Sequence, residues 1–383
     1  MKKEANQINL LHVLNDGFKG SLVLLLPSIA KEFAISLTKV GFLGSALNSL
    51  DILLALPASH LASKIGGKKT LVIAIFFWAV GYFLVGAAPQ YGFIVPAFII
   101  AGIGFGAFHP VAFAFVSKIF EKKERGKQLG NFSAIGELGR MGLSSLITIV
   151  VVYIGWRSTA IAVSLILLFV GLFFLRLIKK EKGISNVEEK ISPDVSYGHV
   201  LKNKKFILST ISYCLDTFAS GSLYIFIPFL LLQRNVPYIF VGVFTSTFFI
   251  GSMFGKMFLG RLVDTLGNRK VFILSELCMA LFIVVLSNVL WLPLIVISSV
   301  ILGIFTKGTS PVLTSMIAES VEHQKGMEKA FGLNAIFVGL ASTAAPFTLG
   351  FLSDKFGIVA AFHVSAGFAL VATVPAFILS RVK

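Results

Sequence analysis

Apolar runs long enough to cross a bilayer recur from end to end, separated by short polar intervals rich in lysine and glycine. A helix rises 1.5 Å per residue, so about 20 apolar residues span the hydrocarbon core. The pattern predicts twelve helices, over 9–30, 39–62, 70–88, 92–118, 129–153, 158–178, 206–232, 239–260, 271–288, 292–318, 330–352 and 358–380. The longest polar interval, 179–205, divides them six and six. The predicted organisation is an N-terminal six-helix bundle over 1–178, a linker over 179–205 and a C-terminal bundle over 206–383. The linker mixes Lys, Glu, Ser and Pro, which predicts a flexible cytoplasmic connection.

Composition agrees. Hydrophobic residues make up 56% of the chain, charged residues only 14%, and the mean hydropathy is +0.88. A soluble domain carries roughly 25% charged residues, so an all-α membrane protein is expected. The net charge of +16 would suggest nucleic acid in a soluble chain, but here the basic residues sort by side. With the N-terminus in the cytoplasm, inner segments hold 25 of the 34 Lys and Arg, and outer loops hold 5. That asymmetry predicts both termini in the cytoplasm of a cell with an inner membrane, and no nucleic-acid partner. The start MKKEANQINLLHV is basic, but the apolar run after it is too long for a cleavable signal and lacks a small-residue cleavage site. Cys214 and Cys278 lie in apolar runs without disulfide or metal-type spacing, so no metal and no cofactor are expected. No phosphate loop or nucleophile motif points to an enzyme.

The two halves repeat at an offset of 201 residues. Gly20-Ser21-Leu22 with Pro27 returns as Gly221-Ser222-Leu223 with Pro228. Gly41, Gly66, Lys69 and Gly102 match Gly242, Gly267, Lys270 and Gly303, and Pro110-Val111 match Pro311-Val312. Two parallel six-helix halves are the plan of a large class of secondary transporter, whose substrate site lies at the midplane. The loop GRLVDTLGNRK (260–270) resembles the signature between the second and third helices of each half in the major facilitator superfamily. The resemblance implies that Gly260 allows close helix packing and that Asp264 accepts bonds from a helix N-terminus or a basic residue. Gly267, Arg269 and Lys270 would complete this conformational motif on the cytoplasmic side. The first copy, SHLASKIGGKK (59–69), keeps Gly66, Lys68 and Lys69 but has Ser59 for glycine and Ser63 for the acid. RGKQLGNFSAIG (125–136) and GWR (155–157) also look like this family. HVLND (12–16) and FHP (108–110) resemble its fosmidomycin-resistance branch of drug exporters.

Charges inside spans cost about 2.5–3.5 kcal/mol each on insertion scales, so they mark function. In the first span His12, Asp16 and Lys19 share a face, with Asn15 beside them. Asp16 and Lys19 form either an internal structural pair or an anion-attracting lysine with a protonatable acid. In the fifth span Glu137 and Arg140 sit one turn apart; Arg140 has the planar fork that suits carboxylate or phosphate. In the tenth, Lys307 has no acid one turn away and shares a face with Ser310; it either contacts substrate or pairs with Asp216 or Glu137. His109, before Pro110, is expected either to switch protonation or to bond a backbone group. Asp216 corresponds closely to Asn15–Asp16 by the repeat. Asp51 and Glu276 carry less information.

Lys19, Arg140, Lys307, Asn15, His109 and Ser310 are thus the candidate substrate-binding residues, with Asp16, Glu137 and Asp216 for proton coupling. Three midplane cations predict a proton-coupled carrier of a small organic anion such as a phosphonate, sugar phosphate or carboxylate. The exporter resemblance suggests outward transport, and sodium stays open as the coupling ion. A proton-driven exporter of lipophilic or cationic drugs is the alternative, and a non-transporting membrane receptor a third. The expected partners are the substrate, protons and the lipid bilayer, with the chain acting as a monomer.

Overall fold

The computed structural model describes residues 2–120, 122–177, 197–321, 327–379 and 381. They form helices joined by short turns. The first half contains α1 (Lys2–Glu32), α2 (Leu37–Leu53), α3 (Ala55–Ile65), α4 (Gly67–Ala87), α5 (Tyr91–Ile119) and α6 (Lys122–Leu177). The second half contains α7 (Tyr197–Lys202), α8 (Lys204–Ser220), α9 (Leu223–Gln233), α10 (Tyr238–Leu266) and α11 (Asn268–Asn288). It continues with α12 (Leu292–Lys307), α13 (Ser310–Ser320), α14 (Met327–Phe356) and α15 (Ile358–Leu379).

These helices account for the twelve predicted crossings, but not one for one. The 56 residues of α6 are two crossings, reversing at Gly155 (φ 77°, ψ 160°). That much helix is about 80 Å long, over twice the hydrocarbon thickness. Three crossings are broken. The second bends by 48° between α2 and α3, the seventh breaks at Gly221–Ser222, and the tenth at Gly308–Thr309. α5 runs as one continuous helix through Pro110. The predicted flexible linker lies largely outside the described residues; its last part forms the short α7 and the start of α8.

The duplication is visible in the backbone. Among the described residues, all those with positive φ fall into pairs: Ala34 with Asn235, Gly66 with Gly267, and Gly155 with Gly357. The first two pairs keep the 201-residue offset, and the third is one residue longer. These left-handed residues reverse the chain at equivalent turns, and glycine adopts that conformation at no steric cost.

Contacts divide the chain into two compact units with a reciprocal exchange. Unit 1 takes Pro237–Ser246 at the start of α10, and unit 2 takes Leu37–Phe42 at the start of α2. In unit 1, Gly242 lies against α6, where a Cβ would stand 2.2 Å from the Ser144 carbonyl oxygen. In unit 2, Asp354 of α14 caps α2: its carboxylate accepts the Leu37 N–H at 2.8 Å, the Thr38 N–H at 2.7 Å and the Thr38 hydroxyl at 2.5 Å. A helix N-terminus has unsatisfied N–H groups and a positive dipole end, so a carboxylate there is stabilising. Gly350, one turn earlier, permits the approach, since a Cβ would stand 2.3 Å from the Leu37 carbonyl oxygen. Asp354→Ala should remove about 1 kcal/mol of capping energy and lower the melting temperature of the purified protein. Asp354→Asn, which can still accept from an N–H, should recover part of that loss.

The third helix of each half ends against an arginine. Arg157 donates to the carbonyls of Gly86 (3.2 Å) and Ala88 (2.6 Å) at the end of α4, and pairs with Glu32 at 2.7 Å. Arg234 donates to the carbonyls of Leu286, Ser287 and Val289 at the end of α11. Both place a cation on carbonyls that the helix leaves without partners.

Candidate functional site

The principal charged centre lies in unit 1, where α1, α5 and α6 meet. Glycines bring α1 and α6 together: a Cβ at Gly139 would stand 2.0 Å from the Val13 carbonyl oxygen. At this crossing α1 supplies His12, Asn15 and Asp16, all buried; α5 supplies His109, and α6 supplies Glu137 and Arg140. The Arg140 guanidinium spans two acids, with Nη2 2.8 Å from Asp16 Oδ2 and Nη1 3.1 Å from Glu137 Oε1. The acid side chains are only 5% and 1% exposed. Asn15 Nδ2 donates to Asp16 Oδ1 at 2.8 Å, and His109 Nε2 lies 3.3 Å from the same oxygen. His12 Nε2 lies 3.4 Å from Asp16 Oδ2, while its Nδ1 donates to the Phe132 carbonyl at 2.8 Å. The imidazole is stacked between Phe132 (4.0 Å between ring centres) and Phe108 (5.7 Å).

Two alternatives left open by the sequence are settled differently here. Asp16 and Lys19 are not an internal pair: Lys19 Nζ donates to both carboxyl oxygens of Asp51 on α2, at 2.7 and 2.6 Å. Asp16 is engaged instead by the Arg140 fork. Asp51, which helical spacing made uninformative, is thus the counter-ion of Lys19. His109 meets the Asp16 carboxylate rather than a backbone group. The pairing of Glu137 with Arg140 holds, and Arg140 extends it to a third residue.

His12, Asp16 and His109 offer three ligand-type atoms within 4.8 Å of one another. Arg140 already places a fixed cation on the central carboxylate, so this donor set suits a proton better than a metal ion. Gly136 closes the gap: a Cβ there would stand 2.6 Å from Asp16 Oδ2 and 2.7 Å from His12 Nε2. Gly136→Ala should therefore push the acid and the imidazole apart. It should cost about 1–3 kcal/mol in overpacking, read as a lower melting temperature, together with loss of transport.

A second centre lies in unit 2. Asp216 on α8 is 4% exposed, and Thr309 Oγ1 stands 3.1 Å from its Oδ1. The Glu276 carboxyl from α11 faces Asp216 and is fully buried. Neither Glu276 oxygen accepts a hydrogen bond from the described protein atoms. Lys307, at the end of α12, acts electrostatically on Asp216 and stands 6.0 Å from the centre of the Tyr224 ring. Ser310 opens α13 and is exposed. Glu276 is the functional candidate that sequence reasoning passed over. The available signal was an acid in the middle of an apolar run; its partner is on another helix, which spacing along one helix cannot reveal.

Twelve crossings in two repeated halves, with buried charge centres, agree with one more observation: the family model described as Major Facilitator Superfamily matches residues 8–214 and 209–383. The chain belongs to the Major Facilitator Superfamily. It is a multi-pass membrane protein and a secondary transporter of small molecules, not an enzyme. It is 27% identical over 297 residues to a probable 4-methylmuconolactone transporter of Cupriavidus pinatubonensis, covering 75% of this chain and 68% of that protein. It is 24% identical over 172 residues to a probable L-galactonate transporter of Escherichia coli, covering 45% of this chain and 38% of the other. Among solved structures, a bacterial homologue of the human lysosomal transporter Spinster, in an inward-facing and occupied conformation, superposes with a TM-score of 0.84. That match has 13% identity and covers 100% of this chain and 97% of the other; it supports the fold alone.

Of the superfamily motif residues, Gly260 and Asp264 lie near the end of α10, Lys68 and Lys69 open α4, Arg269 and Lys270 open α11, and Gly66 and Gly267 occupy the turns between. Gly66 (φ 95°) and Gly267 (φ 79°) make the left-handed reversals into α4 and α11. Lys68 stands 5.6 Å from the centre of the Phe115 ring, and Lys69 is exposed. Gly267, Arg269 and Lys270 line a cavity of about 600 Å³, beside which Asn268 Nδ2 donates to Glu319 at 3.0 Å. The resemblance implied close packing at Gly260, but a Cβ there would meet nothing within 4 Å. Asp264 is exposed and makes no hydrogen bond or ion pair among the described residues. Both expected properties appear instead at Gly350 and Asp354. The sequence GFLSDKFG (350–357) repeats the G-x3-D-x2-G spacing of GRLVDTLG (260–267). This spacing was the missed signal for Asp354.

Proposed function

We propose that this chain is a proton-coupled carrier of a small organic anion. The observation that carries the reading is one guanidinium, Arg140, shared between two buried acids, Asp16 and Glu137. An anionic substrate and the Asp16 carboxylate compete for the same fork. Protonating the centre weakens the internal competitor and frees Arg140 for the substrate, so proton and anion bind together. Linkage of this sign gives symport, with direction set by the two gradients, and an inward proton gradient drives uptake rather than the export suggested by sequence resemblance. Lys19 with Asp51, and Lys307 with Asp216 and Glu276, repeat the same competition between cation and acid. Asn15 and His109 orient the Asp16 carboxylate, and Ser310 supplies an exposed hydroxyl close in sequence to Lys307. One relative is named for galactonate, a sugar-acid anion, which fits this chemistry.

The rest of the reading follows the superfamily plan. The bundles 1–178 and 206–383, joined by 179–205, alternate the access of these centres, with both termini in the cytoplasm of an inner membrane and the chain acting as a monomer. Gly66, Lys68, Lys69, Gly260, Asp264, Gly267, Arg269 and Lys270 form the conformational motif, and Asp354 caps the opposite end of α2.

Transport of a cationic compound through the acids is the second reading. One observation favours it: five acids, Asp16, Asp51, Glu137, Asp216 and Glu276, meet three cations, Lys19, Arg140 and Lys307. Proteoliposomes with an imposed pH gradient separate the two. Labelled L-galactonate, a phosphonate and a sugar phosphate form the anion panel, and ethidium is the cation. The proposal expects an anion to accumulate when the proton gradient points inward, and Arg140→Ala and Lys307→Ala each to abolish that accumulation. Uptake and proton dependence unaltered in both variants would sink the assigned site; ethidium flux without anion flux would select the second reading.

A further inference from the structure

We propose that His12 stores one exchangeable proton, held as an imidazolium against Asp16 and exchanged with water through His109 and the Asp16 carboxylate. This deepens the proton-coupled reading of the same centre and rests on it only for the use of the proton in transport.

The tautomer follows from the hydrogen bond to Phe132. A backbone carbonyl can only accept, so Nδ1 of His12 keeps its hydrogen at 2.8 Å from that oxygen. The other nitrogen, Nε2, faces Asp16 Oδ2 at 3.4 Å in a side chain only 2% exposed, and makes no other hydrogen bond. In a neutral ring Nε2 would turn a lone pair toward a carboxylate, leaving two acceptors face to face in a buried site. A proton on Nε2 turns that repulsion into an ion pair.

The groups facing His12 are Asp16 from its own helix, His109 from α5, and Glu137 and Arg140 from α6. Both Asp16 oxygens already accept, Oδ2 from Arg140 and Oδ1 from Asn15, whereas His12 Nε2 has no donor.

The two histidines differ in access. The His109 side chain is 32% exposed, and its Nε2 lies 3.3 Å from Asp16 Oδ1. His12 is enclosed by Phe108, Phe132 and the backbone at Gly136. A proton therefore passes from His109 Nε2 to the Asp16 carboxylate and from there to His12 Nε2. The sum moves one proton and leaves Asp16 ionised between two cations, His12 and Arg140, which weakens its hold on the guanidinium. His109 exchanges with solvent; His12 holds the proton.

The test uses the full chain, labelled with ¹⁵N-histidine and reconstituted in liposomes with no ligand added. His12 is assigned by the signal missing from His12→Asn. At about pH 6 the His12 ring should show two protonated nitrogens. Asp16→Asn should convert it to the neutral ring with hydrogen on Nδ1 alone. His109→Gln should leave the imidazolium in place but slow its exchange with water by about tenfold or more, the scale of a lost acid–base relay. A neutral His12 ring in the wild-type protein at that pH overturns the proposal, as does an imidazolium indifferent to Asp16→Asn. If Asp16→Asn does not fold, the wild-type spectrum and the His109→Gln exchange rate decide between the same outcomes. A cationic His12 in a protein without pH-driven uptake would overturn the transport reading and leave the proton site standing. A neutral His12 in a protein that has such uptake would overturn the proton site alone.

Discussion

Arg140→Ala should sharply reduce transport and destabilise the fold. Arg140 contacts both buried acids of α1 and α6, at 2.8 and 3.1 Å. Its removal leaves Asp16 and Glu137 facing each other's charge without the guanidinium. Breaking a buried pair from one side costs roughly 3–5 kcal/mol. Since each 1.4 kcal/mol is about tenfold, anion uptake should fall on the order of 100-fold, with a clear drop in melting temperature. Arg140→Lys is the informative companion. A single ammonium reaches one carboxylate but cannot fork between two, so stability should return further than transport. Proteoliposome uptake and a thermal melt on the same preparations read both effects.

Glu276→Gln should separate stability from coupling. Glu276 is fully buried against Asp216, with no donor to its oxygens among the described residues. Two acids in such a place hold at least one proton between them, because two adjacent buried carboxylates are not stable together. Glutamine is close in shape to the protonated acid, so the purified variant should melt at the wild-type temperature or above it. On the proposed coupling the variant lacks a proton site, so accumulation driven by a pH gradient should fall at least about tenfold. Glu276→Lys, which places a cation beside Lys307, should be poorly folded. Full pH-driven accumulation by Glu276→Gln would remove this pair from the coupling path.

Much of the architecture was legible because it depends on quantities local to the chain. The length and spacing of apolar runs gave twelve crossings, and Gly155 in the short interval 154–157 marked the reversal inside the continuous α6. The 201-residue repeat foretold that equivalent turns recur, as Gly66 and Gly267 do. Breaks in the second, seventh and tenth crossings were not legible. Leu54 is apolar like its neighbours, and Gly308 and Gly221 resemble glycines that remain inside unbroken helices elsewhere.

The site was legible residue by residue but not pair by pair. Lys19, Asp16, Glu137, Arg140, Lys307 and Asp216 all stood out, because a charge in an apolar run is rare whatever it touches. Helical spacing suggested Asp16–Lys19, whereas the helix crossing set Arg140 against Asp16 and Asp51 against Lys19. The same blindness hid Glu276, whose partner is on α8, and Asp354, whose partner is the first turn of α2.

Hydropathy, glycine and repeat therefore sufficed for the number of crossings, their duplication and the identity of most buried charges. Each is a property of a residue and its near neighbours, and lipid enforces it on every helix separately. Which acid meets which cation and where the helices break were decided by tertiary structure alone. Those outcomes depend on how closely two helices approach, which small residues such as Gly136 and Gly139 permit only where the partner backbone lies opposite.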